Sequence, residues 1–353
     1  MESASVVMNP LEVDALSMEA SRARIVRDAS EPILKPNPNR FVIFPIQHHD
    51  LWAMYRKQVA AFWRPEELDL SKDLEHWKKL TENERHFIKR ILGFFAGSDG
   101  IVMENLDMRF LGEVQLPEAR MFYSFQNAME SIHSVTYSLL IDTYIEDADE
   151  KLEILRSIQT VPCIQRKADW AMKWIMSKDA DFSTRLMAFA VIEGVFFSGA
   201  FCSIYWIKQR GVMPGLTTSN EFIARDEGLH TDFACMLFRK CIHRPSLEEA
   251  TRLIQEAVAI EKEFIIDALP CALLGMSAPR MSEYIEFVAD RLMLSLGYSK
   301  VWNTPNPFNW MERQGLEGKS NFFEKIVTEY QLADSAGDGS KKEQMKFSLV
   351  EDF

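Results

Sequence analysis

Two short stretches, Glu130-Ser-Ile-His133 and Glu227-Gly-Leu-His230, repeat the spelling Glu-x-x-His. On a helix a three-residue step returns to the same face, so each carboxylate and imidazole pair points one way and can grip one object. A single such pair is weak evidence, because a hydrogen-bonded Glu–His pair on a surface looks the same and the chain has seven histidines. Two further acids change the weight. Asp99 lies within Phe94-Phe-Ala-Gly-Ser-Asp-Gly-Ile-Val102, and Glu193 within Phe189-Ala-Val-Ile-Glu-Gly-Val-Phe-Phe197. Neither stands on a polar face. A buried carboxylate must be protonated, paired with a base or bound to a cation, and the adjacent residues offer no lysine or arginine. Two-metal sites in helical bundles take one acid from each of two helices and a Glu-x-x-His from each of two more. Asp99, Glu130, Glu193 and Glu227 would balance two divalent ions with His133 and His230 neutral. Oxygen-rich ligation with two imidazoles suits iron or manganese better than zinc. The plainer reading is a set of unrelated buried polar groups.

Tyr137 follows His133 by four residues and Glu130 by seven, which puts it on the same helix face and beside any metal held there. A core tyrosine with a satisfied hydroxyl is the ordinary explanation. A phenol next to an oxygen-activating metal pair, walled by Phe197, Phe201 and Ile223, could instead be oxidised and kept from water. The spacing leaves both open.

These residues require helices to carry them. Thr81-Glu-Asn-Glu84 spells a capping box and predicts a helix to about Leu111, with Phe87, Ile91, Phe94 and Phe95 inward. Further helices are predicted over about 117–144, 170–176 and 184–210, the last stopped by Gly211 and Pro214. Thr218-Ser-Asn-Glu221 predicts the start of the helix bearing Glu227 and His230, and two more are expected over about 247–268 and 279–296. Residues 1–31 read as a flexible leader, 32–331 as one helical domain and 332–353 as a flexible tail.

The chain has 353 residues, 47% apolar and 26% charged, with only 15 glycines and 14 prolines, a composition for long helices around a large core. Its net charge of -12, without a basic run longer than a pair, argues against nucleic acid as a partner. Five scattered cysteines without a Cys-x-x-Cys suggest reduced thiols and a cytoplasmic setting. Residues 188–207 approach the length of a membrane span with Glu193 as their sole charge. An acid at mid-depth is costly there, so a helix buried inside a bundle is the preferred reading, and no membrane partner is expected.

Long stretches resemble the small subunit of class Ia ribonucleotide reductase of the eukaryotic type. They include Asn37-Pro-Asn-Arg-Phe-Val-Ile-Phe-Pro45, Ser98-Asp-Gly-Ile-Val102, Met129-Glu-Ser-Ile-His133, Lys167-Ala-Asp-Trp170 and Arg225-Asp-Glu-Gly-Leu-His230. The resemblance implies an all-α, ferritin-like bundle and a homodimer. It implies two iron ions per chain, one bound by Asp99, Glu130 and His133 and the other by Glu193, Glu227 and His230, with Glu130 and Glu227 bridging. It implies a radical on Tyr137, and a relay through Trp63 and Asp226 to His133, with Tyr330 passing the oxidising equivalent outward to a large subunit that reduces ribonucleoside diphosphates. The ending Phe347-Ser-Leu-Val-Glu-Asp-Phe353 resembles the peptide by which such subunits dock on the large one, with Phe347, Leu349 and Phe353 as apolar anchors. The pattern departs from the family at Gly97, usually alanine, at Ser124, usually glycine, and at Val135 and Thr136, usually bulkier or acidic residues. Two rival readings stand beside it: another di-iron oxidase or hydroxylase, which would use the same ligands around its own substrate cavity, and a metal-storage or purely structural helical protein.

Overall fold

In the computed structural model, residues 21–268, 276–308 and 311 are described, and among them there is no β-strand. Eight helices build the body: α1 (His49–Ala60), α2 (Glu82–Asn105), α3 (Pro117–Tyr144), α4 (Pro162–Ile175), α5 (Phe182–Gln209), α6 (Pro214–Arg239), α7 (Leu247–Ala268) and α8 (Ala278–Leu296). Helix α3 packs against α1 and α2, α5 against α6, and α7 against α4 and α8. The all-α, ferritin-like bundle is the expected architecture.

The Thr81 box forms as predicted: the Glu84 amide donates to Thr81 Oγ1 (3.3 Å) and the Thr81 amide to Glu84 Oε2 (2.7 Å). The Thr218 box does not. Helix α6 already starts at Pro214, preceded by Met213 in the left-handed region (φ 56°). Its first amides are met from a distance: Gly215 N donates to Asp73 Oδ1 and Leu216 N to Asp73 Oδ2, both at 2.8 Å, while the Tyr144 hydroxyl donates to Asp73 Oδ2 at 2.5 Å. A cap supplied by tertiary packing leaves no local signature. Helix α4 likewise begins at Pro162, where a proline costs no hydrogen bond, and not near Trp170.

Helix α5 is long and apolar enough to cross a membrane, yet its most apolar window is 100% buried in the protein. It is not a uniform helix. Residues Ile192–Phe196, which include Glu193, adopt π pitch between α-helical Phe182–Val191 and Ser198–Gln209. Such one-turn widenings recur at functional sites.

The described part of the expected leader, residues 21–31, contacts the body. Residues 21–30 are helical, and buried Glu31 accepts from the Ile242 and His243 amides (3.0 and 2.7 Å), while Asp28 Oδ1 accepts from Phe182 N (2.8 Å). Acidic side chains here cap open amides elsewhere in the fold, a role that apolar patterning does not reveal.

Candidate metal centre

Four helices bring the predicted acids and imidazoles to one point. Asp99 comes from α2, Glu130 and His133 from α3, Glu193 from the π turn of α5, and Glu227 and His230 from α6. All six are at most 1% exposed. Ligand atoms of Asp99, Glu130 and His133 lie within 4.8 Å of one another, and so do those of Glu130, Glu193, Glu227 and His230. Glu130 belongs to both groups.

The two Glu-x-x-His acids face both imidazoles. Glu130 Oε1 is 3.0 Å from His230 Nδ1 and its Oε2 3.4 Å from His133 Nδ1; Glu227 Oε2 is 2.9 Å from His230 Nδ1 and its Oε1 3.2 Å from His133 Nδ1. Glu193 approaches only the His230 side, at 3.8 Å.

Several of these atoms lack hydrogen bonds although they are buried: Asp99 Oδ2, Glu130 Oε2, Glu193 Oε2 and His133 Nδ1. Buried polar atoms are almost always satisfied, so a knot of lone pairs facing one another calls for an electrophile between them. A pair of divalent cations fits this donor set: hard carboxylate oxygens, two neutral imidazoles and charge that balances.

The electrostatics agree. Burial, then Glu130, pushes Asp99 well above the usual carboxylate range, and burial, then Glu227, does the same for Glu193. Burial would also raise Glu227, but the neighbouring His230 and His133 rings hold it well below its ordinary value. For His133 burial acts downward and is outweighed by Asp226, Glu130 and Glu227; for His230 it is outweighed by Glu130 and Glu227, so both rings stand well above the usual histidine value. Asp99, Glu193 and the two imidazoles thus hold protons that a cation would displace.

Tyr137 is 3% exposed, and burial followed by the Asp99 charge pushes its phenol far up. Its ring stacks on Phe95 (centroids 4.6 Å, planes at 7°), and Phe95 contacts Phe201 (5.1 Å) and Phe197 (5.9 Å). Phe197, Phe201 and Ile223 are all buried, as the apolar wall requires, but the ring in direct contact is Phe95, which spacing had placed merely in the core of α2.

Trp63 is buried and donates from Nε1 to Asp226 Oδ2 (2.7 Å), and the same oxygen lies 3.1 Å from His133 Nε2. The Trp63 ring also lies nearly parallel to His133 at 6.1 Å. Arg225 Nε and Nη2 donate to the other oxygen of Asp226 (3.2 and 3.1 Å) and so fix the carboxylate. Tyr330, Phe347, Leu349 and Phe353 lie outside the described residues.

Gln126 was missed. Fully buried, it donates from Nε2 to Glu193 Oε1 (3.0 Å) and to Glu130 Oε1 (3.4 Å). It precedes Glu130 by four residues, so its helical face was readable, but an amide carries no charge to mark it.

The comparisons with known proteins point the same way. Residues 40–307 match the family model described as ribonucleotide reductase, small chain. The chain is 57% identical over 323 residues to the human ribonucleoside-diphosphate reductase subunit M2, covering 92% of this chain and 82% of that protein. It is also 57% identical over 323 residues to the vaccinia virus small chain, covering 92% of this chain and all of that one (100%). Among solved structures, the Rnr4 homodimer of Saccharomyces cerevisiae superposes with a TM-score of 0.78 at 36% identity, covering 91% of this chain and 99% of that chain.

Proposed function

Because the chain belongs to the ribonucleotide reductase small-chain family, we propose that it serves ribonucleoside-diphosphate reductase by creating and storing an oxidising equivalent on Tyr137 for use by a large subunit. The observation that carries this reading is the convergence of four buried carboxylates and two imidazoles, with unsatisfied lone pairs, beside a buried phenol. Asp99, Glu130 and His133 would hold one iron and Glu193, Glu227 and His230 the other, with Glu130 and Glu227 spanning both. Such a metal pair, when bound, would supply with dioxygen the oxidising power for a one-electron oxidation of Tyr137.

The chain's own residues do the rest. Stacking against Phe95, within an apolar wall, excludes water from the Tyr137 ring and protects its oxidised form from reduction. Asp226 accepts from Trp63 while facing His133, so an electron can enter the site through the indole as the carboxylate steadies the proton on Nε1. Tyr330 and the tail anchored by Phe347, Leu349 and Phe353 would continue this route to the large subunit. The family likeness and the homodimeric yeast relative support a homodimer, working in the cytoplasm.

The test is electron paramagnetic resonance after iron(II) and air are added to metal-free protein, with iron counted per chain. A tyrosyl signal with two irons, and its absence in Tyr137→Phe at the same iron content, is the expected result. A signal that persists in Tyr137→Phe moves the radical elsewhere; many irons per chain would favour storage.

A further inference from the structure

A second buried charged pair stands outside the metal centre and touches its scaffold. Lys167 of α4 and Glu261 of α7 are 2% and 0% exposed, with Lys167 Nζ 2.5 Å from Glu261 Oε2. The ammonium also lies over the faces of Phe94 (3.8 Å) and Phe264 (3.7 Å). Burial pulls Lys167 down to about 8 and pushes Glu261 up to about 7, so ionisation of either group is expensive here. A buried ion pair is seldom worth more to stability than apolar residues of the same size. Stability alone therefore does not account for it.

Its remaining hydrogen bonds do. Lys167 Nζ donates to the carbonyl of Phe196 (2.7 Å), the last residue of the π turn that carries Glu193. Glu261 Oε1 accepts from the amide of Gly199 (3.2 Å), just beyond that turn. Where a helix passes from i→i+5 to i→i+4 bonding the ladder slips by one residue, and both backbone groups at this junction are met by the pair. Gly199 completes the fit: a Cβ there would stand 2.7 Å from Glu261 Oε1 and 2.6 Å from Ile265 Cδ1.

We propose that Lys167 and Glu261 are positioning residues for Glu193, clamping the π turn at Ile192–Phe196 so that this carboxylate meets Glu227 and His230. The clamp rests on the reading of Glu193 as a metal ligand. The test is an anaerobic titration of metal-free protein with cobalt(II), whose visible bands report ligand geometry, alongside thermal unfolding. The parental protein should take up two ions; failure there overturns the metal reading itself, whatever the variants do. In Lys167→Met/Glu261→Leu the pair becomes apolar and the Phe196 carbonyl and Gly199 amide lose their partners, so the folding midpoint should fall modestly, while the second ion weakens roughly 10- to 100-fold with altered bands. Glu261→Gln keeps an acceptor for Gly199 and an amine on Phe196, and should keep the second ion. Parental affinity and bands for both ions in the double variant overturn the clamp, as does loss of the second ion in Glu261→Gln to the same degree. Should the double variant not fold, Lys167→Met read against Glu261→Gln decides the question: loss in the first alone supports the clamp, and equal behaviour of both overturns it.

Discussion

At the scale of single residues, the metal centre works through side chains whose neighbours remove their freedom. Gln126 is the clearest case, since its one amide nitrogen reaches both Glu193 and Glu130 and leaves Glu193 Oε2 unpartnered among the other ligands. Gln126→Leu preserves the volume and deletes the donor. Affinity for the ion on the Glu193 side should then fall by roughly tenfold, as measured by metal titration, while the unfolding midpoint changes little. If both ions bind as before, Gln126 merely fills space. Arg225 has a comparable relation to Asp226, holding one carboxylate oxygen so that the other serves Trp63 and His133.

At the scale of elements, the ligands can meet only if each helix starts and runs at the right level. Helix α6 carries Glu227 and His230, and its first turn is tied to the remote Asp73, which also receives the Tyr144 hydroxyl at the end of α3. One carboxylate thus sets the relative height of the two helices that supply the Glu-x-x-His pairs. Asp73→Ala should cost about 2–4 kcal/mol, because it removes a cap and strands a buried hydroxyl and two amides. Asp73→Asn, which keeps one acceptor, should cost less; denaturant unfolding of the two variants measures the difference, and equal midpoints would refute the role. Gly97 has a packing reason in this chain: a Cβ there would stand 2.9 Å from Ile158 Cδ1 and 3.0 Å from Ile158 Cβ, where α2 meets the short helix Ser157–Thr160.

At the scale of the whole molecule, the metal-free protein stores unfavourable charge that metal would relieve, and its stability should follow pH accordingly. Asp99 and Glu193 have folded values raised above 3.8 and 4.5, and His133 and His230 above 6.5. A group so raised stabilises the fold while protonated, fully below its unfolded value, and this contribution is lost as pH rises through the folded value. Glu227, lowered from 4.5, acts in the opposite sense: its contribution is full above that value and is lost as pH falls below it towards the folded value. Above pH 5, then, the metal-free fold should weaken as pH rises, whereas the loaded form has exchanged those protons for cations. Calorimetry of metal-free and manganese(II)-loaded protein at pH 6 and 8 should find the gap in midpoint wider at pH 8. A gap that narrows would contradict the stated directions.

The sequence by itself determined the helical class, the six convergent acids and imidazoles and the place of Tyr137 among them, because helical period and the cost of burying charge are local properties that spacing and apolar context express directly. Only the tertiary structure decided where α6 begins, that residues 21–31 pack against the body, that Phe95 is the ring on Tyr137, and that Gln126, Lys167 and Glu261 brace the centre. Those features depend on groups on different helices meeting in space, as Gln126 and Glu193 or Asp73 and Gly215 do. No pattern along the chain encodes such a meeting, since the cap or clamp is satisfied by whichever polar group the packing of the helices brings within reach.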